Sequence, residues 1–222
     1  MLHDEHDDFS LKNYKRSIET GLSSGYKFFK IEDWKKTIGT SHSVVMRHDV
    51  DTQILIADTM SKIENNLGVK STYFFRFHAH SYNPMRINDA RIIKQISDLG
   101  HEVGLHYEPD YYHMISGNLE SGLKREIEIL QEICKREVKS IAPHEPTRTN
   151  NFSLKDETLK KLKITNQAYD KDLLKNNKYI YDSSCRWRDG SMLFHFSKKT
   201  HNKLYVLTHP YWWYESSPIE NY

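Results

Sequence analysis

Seven short runs rich in β-branched and aromatic residues alternate with stretches whose apolar residues recur every three or four positions, and this alternation constrains the fold most. The strand candidates are residues 43–48, 71–77, 101–106, 139–144, 164–169, 178–183 and 203–209. Between them, residues 53–67 space Ile54, Ala57, Met60, Ile63 and Leu67 for one helix face, and Gly68 supplies a left-handed cap. Residues 89–99 follow Asn88 as an expected N-cap, 118–136 form the longest amphipathic stretch, and Ser153 with Asp156 reads as a capping box. A further helix is expected around 10–22. Strands alternating with helices predict an α/β fold with a mainly parallel sheet. About seven strands leave a (β/α) barrel or an open doubly wound sheet, and both place ligands at the carboxyl ends of the strands. The length of 222 residues suits one domain over 1–222, with a helix and lead-in over 1–40 and the barrel over 41–215.

Composition removes several function classes. Lys and Arg total 32 against 30 Asp and Glu, a net charge of +2, so no nucleic-acid partner is expected. Cys134 and Cys185 are too few and too far apart for a disulfide framework or a CxxC site. The opening residues carry no apolar signal segment, and no run of 18 apolar residues occurs, so no membrane span is expected and a soluble cytoplasmic protein is. No GxGxxG, Walker A or GxSxG motif is present. Histidine is the abnormal residue, at 13 of 222, and imidazole serves metal binding and proton transfer.

The strand ends hold the chemistry. The first expected strand closes on Arg47-His48-Asp49-Val50-Asp51, where Asp49 and Asp51 share one face and His48 takes the other. Two adjacent carboxylates repel unless a cation or a proton lies between them; Asp51 alone could instead cap the next helix. The third strand ends in His106-Tyr107-Glu108-Pro109-Asp110, pairing His106 and Asp110 at helical i, i+4 spacing. His101 should point away as a structural residue. The fourth ends in Pro143-His144-Glu145-Pro146, with His144 open between ligand, substrate contact and loop residue. The last ends in His209-Pro210-Tyr211-Trp212-Trp213, an imidazole beside rings able to stack on a sugar. Arg76, His78 and His80 alternate on one face. Arg186 or Arg188 could orient Asp49 or bind an anion.

In order along the chain, Arg-His-Asp-Val-Asp, Gly-His-Glu-Val-Gly-Leu-His-Tyr-Glu and Leu-Thr-His-Pro resemble the motifs of NodB-like polysaccharide deacetylases, carbohydrate esterase family 4. Ser-Thr-Tyr-Phe-Phe-Arg, Tyr-Asp-Ser-Ser-Cys-Arg-Trp-Arg-Asp-Gly and Thr-His-Pro-Tyr-Trp-Trp narrow the resemblance to its WbmS-type branch in surface-polysaccharide biosynthesis. The resemblance implies a distorted (β/α) barrel that removes an N-acetyl group from a carbohydrate substrate. It implies one divalent metal ion, zinc first, with cobalt or nickel as alternatives. Asp49 matches the base, Asp51 and His106 match metal ligands, and His209 matches the general acid. The usual second histidine is replaced by Asp110, so Asp110 and His144 compete for the third ligand position, with Glu108 an outsider. Tyr107, Arg186, Trp187, Arg188 and Trp212 are the expected substrate contacts. Another amide hydrolase, or a non-catalytic glycan- or partner-binding barrel, are the alternatives.

Overall fold

The computed structural model describes residues 8–218; the two ends of the expected 1–222 domain lie outside the described residues. Strands β1 (Lys27–Phe29), β2 (Ser43–Val50), β3 (Thr72–Phe75), β4 (Glu102–Tyr107), β5 (Ser140–Pro143), β6 (Asn166–Gln167), β7 (Lys178–Tyr181) and β8 (Lys203–Thr208) form one sheet. Its path is β6-β5-β4-β3-β2-β8-β7, and every pairing is parallel. β8 occupies one edge of β2 from Ser43 to His48, so β1 and β3 must share the other, opposite Ser43–Val45 and Arg47–Val50. Among the described residues no pairing joins β6 to β7, so the sheet curls into an open, distorted (β/α) barrel.

The helices are α1 (Leu11–Ser23), α2 (Ile54–Asn66), α3 (Ile87–Asp98), α4 (Pro109–Tyr111), α5 (Leu119–Cys134), α6 (Pro146–Thr149), α7 (Asp156–Leu162), α8 (Lys171–Asn176) and α9 (Met192–Lys198). Gly68 adopts φ +72 just past α2, as its position requires. Two expected caps are corrected. Arg86, not Asn88, precedes α3 and makes no side-chain cap bond; Asn88 lies within the first turn. Lys155, not Ser153, precedes α7, because Gln167 Oε1 accepts from the Leu154 N–H at 2.6 Å and sets where the chain turns. Of residues 164–169 only Asn166 and Gln167 pair, on an edge that has a single neighbour.

Strand alternation sorts the side chains into two layers. Inward, Val45, Phe74, Ala142, Ala168 and Tyr205 pack with Leu173 of α8. Ile31 and Trp34, from a 3₁₀ turn at Ile31–Thr37, join them, so residues of the lead-in help fill the barrel. Outward, Tyr73, Phe75, Val103, Leu105 and Ile141 meet α2, α3, α5 and α7, while Val44, Met46, Leu204 and Val206 meet α1 and α9.

The outer face also holds a buried carboxylate. Glu64 of α2 accepts from Tyr14 Oη (2.7 Å), His48 Nε2 (2.9 Å), Ser71 Oγ (2.7 Å) and Tyr73 Oη (2.7 Å). Burial opposes its ionisation, but His48, His101 and Ser71 outweigh it and bring the carboxyl down to about 2. His101 lies on this side, donating from Nε2 to Ser61 O (3.0 Å) and accepting the Ser71 N–H at Nδ1 (3.2 Å). It is structural. Among the described residues no helix is long and apolar enough to cross a membrane.

Candidate active site

The carboxyl ends of β2, β4, β5 and β8 surround a pocket of about 190 Å³. Asp49, Asp51, His106, His144, His209 and Trp212 line it, with Tyr169, Ser183, Ser184 and the turn Pro143–Pro146 completing its wall. A larger cavity of about 350 Å³, by Glu32, Ser97, Glu102 and Lys139, lies at the amino ends of the strands, away from this group.

β2 supplies Asp49, and Asp51 follows directly after its last residue. The helix after it starts at Ile54 with Gln53 in the cap position, so Asp51 is no N-cap. Its Oδ1 lies 3.3 Å from His106 Nε2 and 3.6 Å from His144 Nε2. Both imidazoles are oriented from behind. His106 Nδ1 faces Ala142 O (3.0 Å) and His144 Nδ1 faces Glu108 Oε2 (2.8 Å), both pure acceptors, so each Nδ1 carries a proton and donates it. In the neutral rings the Nε2 lone pairs then meet a carboxylate oxygen that is buried without an aligned donor. Such an arrangement needs protons or a cation. Burial opposes ionisation of Asp51, yet with their Nε2 atoms also protonated, His106, then His209 and His144, outweigh it and hold the group well below the usual carboxylate range.

Among the described residues no three His, Cys, Asp or Glu side chains close around a point as a finished metal cage. The strand-end set is open: two imidazole nitrogens of fixed tautomer about one orphaned carboxylate oxygen. By donor chemistry these residues fit a divalent ion of the zinc type.

His209 stands across the pocket. Its backbone N–H donates to both oxygens of Asp182 (3.1 and 3.0 Å), its Nδ1 donates to Asp182 Oδ1 (2.6 Å), and Trp213 Nε1 donates to Asp182 Oδ2 (3.1 Å). Burial by itself would lower the His209 pKa; Asp182, aided by Asp51 and Asp49, reverses this and raises it to about 9. At neutral pH this favours the charged imidazole.

Several expected site residues are elsewhere. Asp110 is exposed on α4 and accepts from Arg148 Nη1 at 2.6 Å, because the chain turns at Pro109 and carries it outward; it lines no part of the pocket. Tyr107 is outward on β4, fully buried under the helices, with its hydroxyl donating to Asn151. Trp187 is 7% exposed and stacked on Phe9, a core residue. Arg186 and Arg188 are exposed and away from the pocket lining. Trp212 does line it.

Other residues stand behind the two aspartates. Arg47 Nη2 lies 3.6 Å from Asp49 Oδ2, and Arg76 sits 3.9 Å from Asp51 and 2.7 Å from Glu108. Neither Asp182 nor Arg47 was singled out by sequence, although Arg47 shares the i, i+2 face of Asp49 and Asp182 ends a strand. Glu145, beside His144, is held at φ 45, and Ser184 and Cys185 at φ 63 and 54, a cluster of left-handed non-glycine residues around the pocket.

No protein-family model matches the chain, and no curated protein matches it. Among solved structures it is similar to BA3943 of Bacillus anthracis, described as a CE4 family pseudoenzyme, with TM-score 0.50 and 18% identity over 77% of this chain. A BA3943 mutant with restored enzymatic activity gives the same figures. The chain covers 56–57% of those proteins, little more than half their length. The Bc1960 peptidoglycan N-acetylglucosamine deacetylase shares 18% identity at a TM-score of 0.42, covering 75% of this chain and 71% of its own. The chain thus has the fold of the CE4, NodB-like proteins.

Proposed function

We propose that this protein is a metal-dependent deacetylase that hydrolyses the amide of an N-acylated sugar, within the WbmS-type branch and on a cytoplasmic surface-polysaccharide precursor. One observation carries the reading: two histidines with proton-bearing Nδ1 atoms turn their Nε2 atoms to the same Asp51 oxygen, across the pocket from His209, which Asp182 orients. Asp51, His106 and His144 would hold the ion, zinc first and cobalt or nickel as substitutes. When bound, such an ion supplies Lewis acidity toward an amide carbonyl and lowers the pKa of water. Asp49, with Oδ2 near Arg47 and His106 at the pocket lining, would take the proton of an attacking water. His209, oriented by Asp182, delivers its Nε2 proton to the departing amine. Trp212 and Tyr169 offer ring faces at the pocket wall.

The description of BA3943 as a pseudoenzyme favours one alternative, a glycan-binding barrel without turnover. Zinc titration of chelator-treated protein, followed by acetate release from chitooligosaccharides, separates the two. Asp51→Ala, His106→Ala and His144→Ala should abolish stoichiometric zinc, Asp110→Ala should keep it, and Asp49→Asn should keep zinc while losing turnover. Zinc binding that survives His144→Ala but not Asp110→Ala would reject the ligand set. Full binding of zinc and glycan with no acetate released would favour the non-catalytic barrel.

A further inference from the structure

The pocket about Asp49 and Asp51 is small, about 190 Å³ against roughly 300–1,000 Å³ for most small-ligand sites. It does not end there. His144 and Glu145 also line a second cavity of about 600 Å³, whose other residues come from the segments after β3, β4 and β5. One side of this groove is aromatic and apolar. Tyr111 lies flat on His78, with ring centres 3.8 Å apart and planes 29° apart. Glu126 Oε1 lies 3.0 Å from His78 Nε2, and the other oxygen of Glu126 accepts from Tyr112 Oη. The Tyr111 ring is thus fixed from beneath, yet 36% of the residue stays exposed. Met114 and Ile115 line the same groove at 79% and 70% exposure, apolar surface of the kind that ligand grooves present.

The other side is polar and charge-compensated. Arg148 pairs with Asp110 Oδ2 (2.6 Å) and with Glu145 Oε2, and reaches Glu108 Oε1 at 3.5 Å. Arg76 donates to Glu108 Oε2 at 2.7 Å. Two guanidiniums thus answer three carboxylates, and neither is left over to bind an anion. Fixed N–H groups and carboxylate oxygens do suit hydroxyls. We propose that this groove is a second sugar subsite, in which a neutral pyranose stacks on Tyr111 beside the Asp110–Arg148–Glu145 rail. The substrate is then an oligosaccharide of at least two units, and a sugar nucleotide is disfavoured. This rests on the reading of the protein as an N-acyl-sugar deacetylase. A pyranose offers an apolar face to a ring and a rim of hydroxyls to planar polar groups. A diphosphate would instead approach three carboxylates, a like-charge contact.

The test follows acetate release by the zinc-loaded protein from N-acetylglucosamine, its β-1,4 tetrasaccharide and UDP-N-acetylglucosamine. Calorimetry measures tetrasaccharide binding to chelator-treated protein. kcat/KM should be at least about 10-fold higher for the tetrasaccharide than for the other two. Tyr111→Ala should lower the tetrasaccharide-to-monosaccharide ratio of kcat/KM, and weaken tetrasaccharide binding, about 10-fold; Tyr111→Phe should recover most of both. Asp110→Asn removes one partner of Arg148 and should raise kcat/KM for the sugar nucleotide relative to the tetrasaccharide. Equal kcat/KM for monosaccharide and tetrasaccharide, better turnover of the sugar nucleotide, or a wild-type ratio and affinity in Tyr111→Ala would overturn the proposal. Tetrasaccharide binding that depends on Tyr111, with no acetate released from any substrate, would keep the subsite and overturn the deacetylase reading instead.

Discussion

Replacing Asp182 by Asn tests the electrostatics of the site without touching the pocket wall. Asp182 receives three kinds of donor, the backbone N–H and Nδ1 of His209 and the indole N–H of Trp213, and it contacts no pocket residue except through His209. It is also the leading influence that raises the His209 pKa against burial, up to about 9 from the ordinary 6.5. That difference corresponds to roughly 3 kcal/mol between protonation states. An amide keeps the shape and loses the charge. Burial then dominates, and His209 should titrate at or below about 6.5. At pH 7.5 the protonated fraction should fall from about 97% to about 10% or less. Chemical-shift titration of the histidine rings by NMR in chelator-treated protein, with His209 assigned by a His209→Gln variant, reads this directly. The linkage has a definite sign: a raised imidazole pKa contributes stability that is complete below pH 6.5 and lost as pH climbs to about 9. The stability advantage of wild type over Asp182→Asn should therefore shrink by about 3 kcal/mol across that window in urea denaturation. A residual disadvantage of about 1–3 kcal/mol should persist at high pH, since the amide nitrogen faces donors. A His209 that still titrates near 9 in Asp182→Asn would refute the reasoning and assign the effect to Asp49 and Asp51.

Two further outcomes concern the barrel interior. A Cβ on Gly104 would lie 2.4 Å from the Phe74 ring and 2.9 Å from Ser140 O, so Gly104→Ala should destabilise by about 1–3 kcal/mol in thermal denaturation; an unchanged Tm would refute the tight packing there. Glu102 is pushed up to about 7 by burial, against the hydrogen bonds from Ser140, Thr72 and the Glu32 N–H. Its stabilisation is present below about 4.5 and lost as pH rises to 7, so Glu102→Gln should gain about 3 kcal/mol on wild type between those pH values. A constant difference across the window would refute it.

Periodicity identified the architecture because strands and helices impose it on every residue. β2, β4 and β8 were visible with their ends to within two residues, and so was the inward face of Asp49 and Asp51. β1 was invisible, since three residues cannot display a period. The site failed where side-chain direction depends on a turn. Asp110 and His106 have the spacing of a helix face, but Pro109 begins a new direction between them, and His144 arrives from a different strand. Tyr107 was misplaced although its parity argued against it: the neighbour of an inward His106 must face out. Trp187 and the arginines beside it depended on a loop, whose path no alternation dictates. Asp182 and Arg47 act through other residues, and a pairing 27 positions apart leaves no local trace.

The open edge of the barrel has a mechanical meaning. In a closed barrel the diameter follows from strand number and stagger, and changing it breaks backbone hydrogen bonds. Here Tyr169 lies just beyond β6, and Tyr179 lies on β7, so Arg47 spans the seam with its own side chain. The Tyr169 and Tyr179 rings also meet there at 6.3 Å, and Tyr205 Oη donates to Ala168 O, so side chains close the seam where no ladder does. Tyr169 and the serines after β7 line the pocket at that seam, so its wall there rests on side-chain contacts and can change width without breaking a backbone hydrogen bond.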